Sequence, residues 1–134
     1  MLSTATLLVA DDEVDTLSLL AFRLQKLGYR VLTASEGRSA MSLIQAERPD
    51  LVFLDIHLPI MDGYEVCRRV RADETLKETR VIFSTADVCI KIHEAIQMAG
   101  ADGYLLKPYE SEEVLHAIRT HLAWNKIIHP SVAA

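Results

Sequence analysis

Cysteine is nearly absent from this sequence. Cys67 and Cys89 stand alone, too few and too far apart for a disulfide framework or a zinc site. Cys67 falls in the pattern Val66-Cys67-x-x-Val70, which suits the inner face of a helix, and both thiols are expected to be reduced packing residues. Positive charge is in deficit, with 14 Lys and Arg against 19 Asp and Glu and a net charge of -5. That balance opposes nonspecific attraction to nucleic acid phosphates and to anionic membrane surfaces, so direct nucleic acid binding is not expected. Apolar runs such as Leu51 to Leu54 fall far short of the roughly 20 residues a membrane-spanning helix needs. Met1 to Ala10 lacks the basic start and long apolar stretch of a signal peptide, so a cytoplasmic protein with no membrane segment is expected.

What is there fits one globular domain. The 134 residues are half hydrophobic and a quarter charged, enough to bury one substantial core and too few for a second module. Short, mostly apolar runs at Thr6 to Ala10, Val31 to Ala34, Leu51 to Leu54, Val81 to Ser84 and Gly103 to Leu106 have the pattern of strands buried on both faces. Between them lie helical patterns. Val14 to Leu27 spaces Leu17, Leu20, Leu24 and Leu27 along one face, with Gly28 where a left-handed cap belongs. Similar patterns cover about Arg38 to Glu47, Gly63 to Ala72, Cys89 to Ala99 and Ser111 to Leu122, with Pro49 and Gly100 closing the second and fourth. The alternation predicts a doubly wound α/β (βα)5 sandwich over residues 1–122, with 123–134 as a tail or the start of a linker.

In such a fold the active crevice opens at the carboxyl ends of the strands. There the first strand runs into Asp11-Asp12-Glu13, the third into Asp55, the fourth into Ser84-Thr85 and the fifth into Lys107-Pro108. Carboxylates that converge must either take up protons or bind a cation. Magnesium suits an all-oxygen set, because it takes one or two carboxylates and keeps positions for water or phosphate. A lysine and a hydroxyl at the same edge point to phosphoryl chemistry: Asp55 as nucleophile, Asp11 and Asp12 on the metal, Lys107 and Thr85 on phosphoryl oxygens.

The segments Leu8-Val9-Ala10-Asp11-Asp12-Glu13, Asp55-Ile56-His57-Leu58-Pro59-Ile60-Met61-Asp62-Gly63, Ser84-Thr85-Ala86 and Lys107-Pro108 closely resemble the receiver motifs of bacterial response regulators. The resemblance spans about residues 5 to 122 and implies the flavodoxin-like receiver fold of two-component signalling. It implies phosphoryl transfer to Asp55 from a histidine kinase or histidine phosphotransfer protein, as in a phosphorelay. It also implies Mg2+ held by Asp12, Asp55 and the backbone carbonyl of His57, with Asp11 acting partly through water. A cis peptide before Pro108 and a switch aromatic at Tyr104 are implied as well, with output through the face of the fourth helix, fifth strand and fifth helix. Output would reach a downstream protein or a fused domain, and a phosphorylation-dependent dimer is compatible with the family. His57 and Asp87 occupy positions that tune dephosphorylation in the family.

Plainer readings exist for each residue. Asp12 suits a helix cap, Lys107 a surface lysine and Thr85 a strand residue, but none of these explains four polar strand ends at one edge. Ser84 is the nearer rival for the hydroxyl, and Thr85 is preferred because Ala86 follows it as in the motif. Tyr104 also suits passive packing. His57, His93, His116, His121 and His129 show no ligand pattern, and Arg68, Arg69 and Arg71 suit a solvated helix face. A phosphatase of the haloacid dehalogenase type expects a second carboxylate where His57 stands. A pseudo-receiver is disfavoured by the complete acidic set. Too few residues follow Leu122 for an output domain, so either a stand-alone receiver or one excised from a longer protein is expected.

Overall fold

Branched and aromatic residues in unbroken runs give strands that can lie between two layers of helices, because neither face then meets water. The computed structural model describes residues 4–87 and 89–128. It contains β1 (Thr6–Ala10), α1 (Val14–Lys26), β2 (Arg30–Ala34), α2 (Gly37–Glu47), β3 (Leu51–Asp55), α3 (Gly63–Ala72), β4 (Arg80–Thr85), α4 (Ile90–Ala99), β5 (Gly103–Leu106) and α5 (Ser111–His121). The five strands form one parallel sheet in the order β2-β1-β3-β4-β5. β3 is buried along its whole length.

Two cores result, one on each side of the sheet. Leu8, Val52, Leu54, Phe83 and their neighbours pack beneath α2, α3 and α4. Leu7, Val9, Leu51, Phe53 and Ile82 pack beneath α1 and α5. Alternation along each strand divides its side chains between the two layers.

The expected elements are all present, with ends shifted by one residue at most. Gly28 adopts φ 105° just beyond α1, and Gly100 closes α4 at φ 87°. α2 stops at Arg48, in the left-handed region, because the following Pro49 disfavours right-handed helical backbone there. Among the described residues no helix is long and apolar enough to cross a membrane.

Some expectations need correction. Cys67 is buried and its thiol donates to the Ala99 carbonyl, but Cys89 is exposed and does not pack. Arg71 is not on a solvated face. Its guanidinium donates to the carbonyls of Gly100 and Thr79 at 2.7 Å each and to Asp102 at 2.6 Å, tying the end of α3 to β4, α4 and β5. Beyond α5, Ile127 is buried, Lys126 pairs with Asp50, and the Ile128 amide donates to the Tyr29 hydroxyl. Residues 123–128 thus lie against the amino-terminal edge of the sheet. His129 and residues 130–134 lie outside the described residues.

Candidate functional site

Strand register assembles the site. Ala10 pairs with Leu54, so Asp11 and Asp55 emerge side by side; Asp55 pairs with Ser84, and Thr85 with Leu106, just before Lys107. The Lys107 amide donates to the Thr85 carbonyl at 2.8 Å, extending the ladder to the lysine itself. The peptide from Lys107 to Pro108 is cis, as the motif implies.

The Lys107 ammonium bridges two carboxylates, 2.8 Å from Asp11 Oδ2 and 3.0 Å from Asp55 Oδ2. Both acids are buried, 2% and 5% exposed, whereas Asp12 faces solvent. Burial alone would lower the lysine's proton affinity, but its hydrogen bonds to Asp11 and Asp55 outweigh that and raise it. The remaining oxygens are held by backbone: Asp11 Oδ1 accepts the Glu13 amide at 2.9 Å, and Asp55 Oδ1 accepts the His57 amide at 3.0 Å. One oxygen each of Asp11, Asp12 and Asp55 lies within 4.8 Å of the others. An all-oxygen, hard donor set of this kind fits magnesium.

The loop after Asp55 is shaped by close approach. A Cβ on Gly63 would lie 2.4 Å from the Asp55 carbonyl oxygen, and one on Gly37 would lie 1.6 Å from that of Met61. Glycine is required at both positions. Asp62 caps α3 by accepting the Glu65 amide at 2.9 Å. Between these anchors Ile60 adopts φ 72°, and the Met61 amide donates to the Pro59 carbonyl at 2.8 Å, a strained γ-turn. The Tyr109 hydroxyl also borders the site; burial, then the charge of Asp11, raises its pKa.

Thr85 is 1% exposed and Ser84 4%, so burial does not separate the two hydroxyls. Thr85 Oγ1 accepts the Asp87 amide at 3.0 Å, and Asp87 Oδ1 accepts the Cys89 amide at 2.9 Å, a chain leading to the start of α4. Tyr104 stands 37% exposed, edge-on to His93 on α4 with ring centroids 4.5 Å apart. The sequence pattern carried no signal for that partner. His57 holds its side chain in solvent. Beside Lys107 a groove of about 510 Å³ runs between α1 and α5, lined by Thr16, Leu20, Pro108, Tyr109 and Val114 among others.

Residues 7–119 match the family described as response regulator receiver domain. The alkaline phosphatase synthesis transcriptional regulatory protein PhoP of Bacillus subtilis is 35% identical over 93% of this chain and 51% of its own length. The chain spans about half the length of the curated relatives it matches. Chemotaxis protein CheY4 of Vibrio cholerae is 30% identical with a TM-score of 0.84, covering 90% of this chain and 100% of that one. The receiver domain of sensor histidine kinase PA1611 from Pseudomonas aeruginosa, solved with magnesium in its active site cleft, is 28% identical with a TM-score of 0.82 over 89% of this chain and 98% of its own.

Proposed function

The chain belongs to the response regulator receiver domain family, and from that premise we propose that Asp55 is its phosphoryl acceptor, with Asp11, Asp12, Thr85 and Lys107 serving the transfer. The observation that carries this reading is the Lys107 ammonium bridging Asp11 and Asp55 beside a third carboxylate. A buried acid held by one cation and one backbone amide is fixed in place, and its oxygens are aimed outward from the strand end.

In the transfer, an Asp55 oxygen attacks the phosphorus of a phosphohistidine. The P–O bond forms as the P–N bond breaks, and the electron pair leaves on the imidazole nitrogen. Lys107 and the Thr85 hydroxyl hold phosphoryl oxygens as charge develops there. Asp11, Asp12, Asp55 and the His57 carbonyl would hold Mg2+, which when bound supplies positive charge to the phosphoryl oxygens. The product is an acyl phosphate carrying roughly two negative charges, by analogy with other phosphorylated side chains.

The new charge draws Thr85 Oγ1 from the Asp87 amide, and Tyr104 leaves its exposed seat on His93 and turns inward toward Thr85. The face of α4, β5 and α5 then changes, which fits a switch and not a turnover enzyme. The phosphodonor is a histidine kinase or histidine phosphotransfer protein in the cytoplasm, seated on the groove between α1 and α5 that opens at Lys107. The recipient of the signal is a downstream protein or an attached output domain. We assign residues 123–128 to the packed domain, because Lys126 and Ile128 are engaged with Asp50 and Tyr29.

The test is a small-molecule phosphodonor with Mg2+, followed by intact-mass spectrometry. One phosphoryl adduct is expected on the wild type and none on Asp55→Asn. An equal adduct on the variant would overturn the assignment.

A further inference from the structure

Nearly every buried side-chain polar atom among the described residues has a hydrogen-bond partner, and the hydroxyl of Tyr64 is the exception. A buried donor without a protein partner is costly, so a state of the fold that supplies an acceptor is favoured over one that does not. Tyr64 is the second residue of α3, and its ring meets Phe83 edge-on, with centroids 5.6 Å apart. Phe83 lies two residues before Thr85 on β4, so the phenol stands beside the strand that carries the switching hydroxyl. Burial, then the charges of Asp62 and Asp87, raise the Tyr64 pKa and keep its proton in place.

Asp87 belongs to the hydrogen-bond chain at the start of α4. Its amide donates to Thr85 Oγ1 and its carboxylate accepts from Cys89, the residue that begins α4 without a side-chain cap. The amino-terminal half of α4 buries little, and its buried residues are Ile96 and Ala99 in the last turns. Its far end is tied down by Arg71 through the Gly100 carbonyl. The first turn of α4, next to Asp87, is therefore the end of this helix least held by burial.

We propose that the Tyr64 hydroxyl is a positioning group for the switched state: when Thr85 Oγ1 leaves the Asp87 amide for the phosphoryl group, the Asp87 carboxylate settles toward α3 and Tyr64 donates to it. The unmet donor then penalises the resting state only and favours phosphorylation. This inference rests on the proposed switching of Thr85. Its expected size is on the order of tenfold in the ratio of switched to resting populations, since a hydrogen bond to a charged acceptor replaces a buried donor with none.

The experiment uses beryllium fluoride with Mg2+ as a stable phosphoryl mimic on the wild type, Tyr64→Phe, Asp87→Ala and the double variant. Tyr64→Phe is expected to unfold no more readily than wild type in the resting state, because it loses only an unpartnered hydroxyl. Its apparent affinity for the mimic should fall about tenfold, and the double variant should fall no further than Asp87→Ala. Equal affinity in Tyr64→Phe and wild type would overturn the inference while leaving the switch standing. So would a less stable resting Tyr64→Phe, which would mean the hydroxyl already has a partner. Failure of the wild type itself to bind the mimic would instead defeat the reading of Asp55, and this inference with it.

Discussion

Replacing Lys107 with methionine keeps most of the side chain's bulk and removes its charge. In the folded protein that charge lies 2.8 Å from Asp11 and 3.0 Å from Asp55. At an effective dielectric of about 20, each contact is a gross attraction of about 6 kcal/mol, most of it offset by the desolvation of three charged groups. The net effect is set by what the substitution leaves behind, two buried carboxylates with no cation between them. Breaking a buried pair from one side costs about 3–5 kcal/mol, and that loss is expected in Lys107→Met. Asp55→Asn should behave differently, because it removes a negative charge and leaves the Lys107 pair with Asp11 intact; a change under about 1 kcal/mol is expected. The assay is urea unfolding followed by circular dichroism at neutral pH in magnesium-free buffer, then repeated with Mg2+. Saturating Mg2+, at about a hundred times its dissociation constant, should restore about 2.7 kcal/mol to the lysine variant. A Lys107→Met protein within about 0.5 kcal/mol of wild type without Mg2+ would refute a stabilising role for the Lys107 ammonium between Asp11 and Asp55.

Three further outcomes follow from the same geometry. The raised pKa of Lys107 means that its stabilising contribution is complete below the unfolded lysine value of about 10.4 and is lost as pH rises through the folded value. The stability gap between wild type and Lys107→Met should therefore hold through neutral pH and close in alkali, and a gap that persists unchanged in strong alkali would contradict it. Burial pushes the Cys67 thiol up to about 11, whereas Cys89 is exposed, so mild iodoacetamide should alkylate Cys89 alone in the folded state, as peptide mapping would reveal. Ile60 sits at φ 72° with its side chain largely in solvent, so Ile60→Gly should gain about 1 kcal/mol in urea unfolding, strain relief exceeding the added entropy of glycine.

The strands were legible because burial on both faces forces continuous apolar runs, and β3 shows the limit of this pattern with every residue covered. The site was legible for the opposite reason: Asp11, Asp55, Thr85 and Lys107 interrupt such runs at the end where the core gives no reason for polarity. Side chains whose meaning depends on distant partners were not. Arg71 looks like its solvated neighbours Arg68 and Arg69 in a helical pattern, and only the return of β5 brings Asp102 to it, 31 positions away. Ile60 holds a positive φ in a loop packed closely against Gly37 and Gly63, against the preference of a branched residue. Residues 123–128 show no periodic pattern, yet Lys126 reaches Asp50 and the Ile128 amide reaches Tyr29 across the sheet edge.

The switch rests on one step, the acceptance of a phosphoryl group by the buried Asp55 carboxylate. Its most direct test is tandem mass spectrometry of the protein digested after brief reaction with a phosphodonor and Mg2+, under conditions that preserve acyl phosphates. The phosphoryl group is expected on the peptide containing Asp55, at Asp55 itself, and a phosphoryl group found on another residue while Asp55 stays bare would contradict Asp55 as the acceptor.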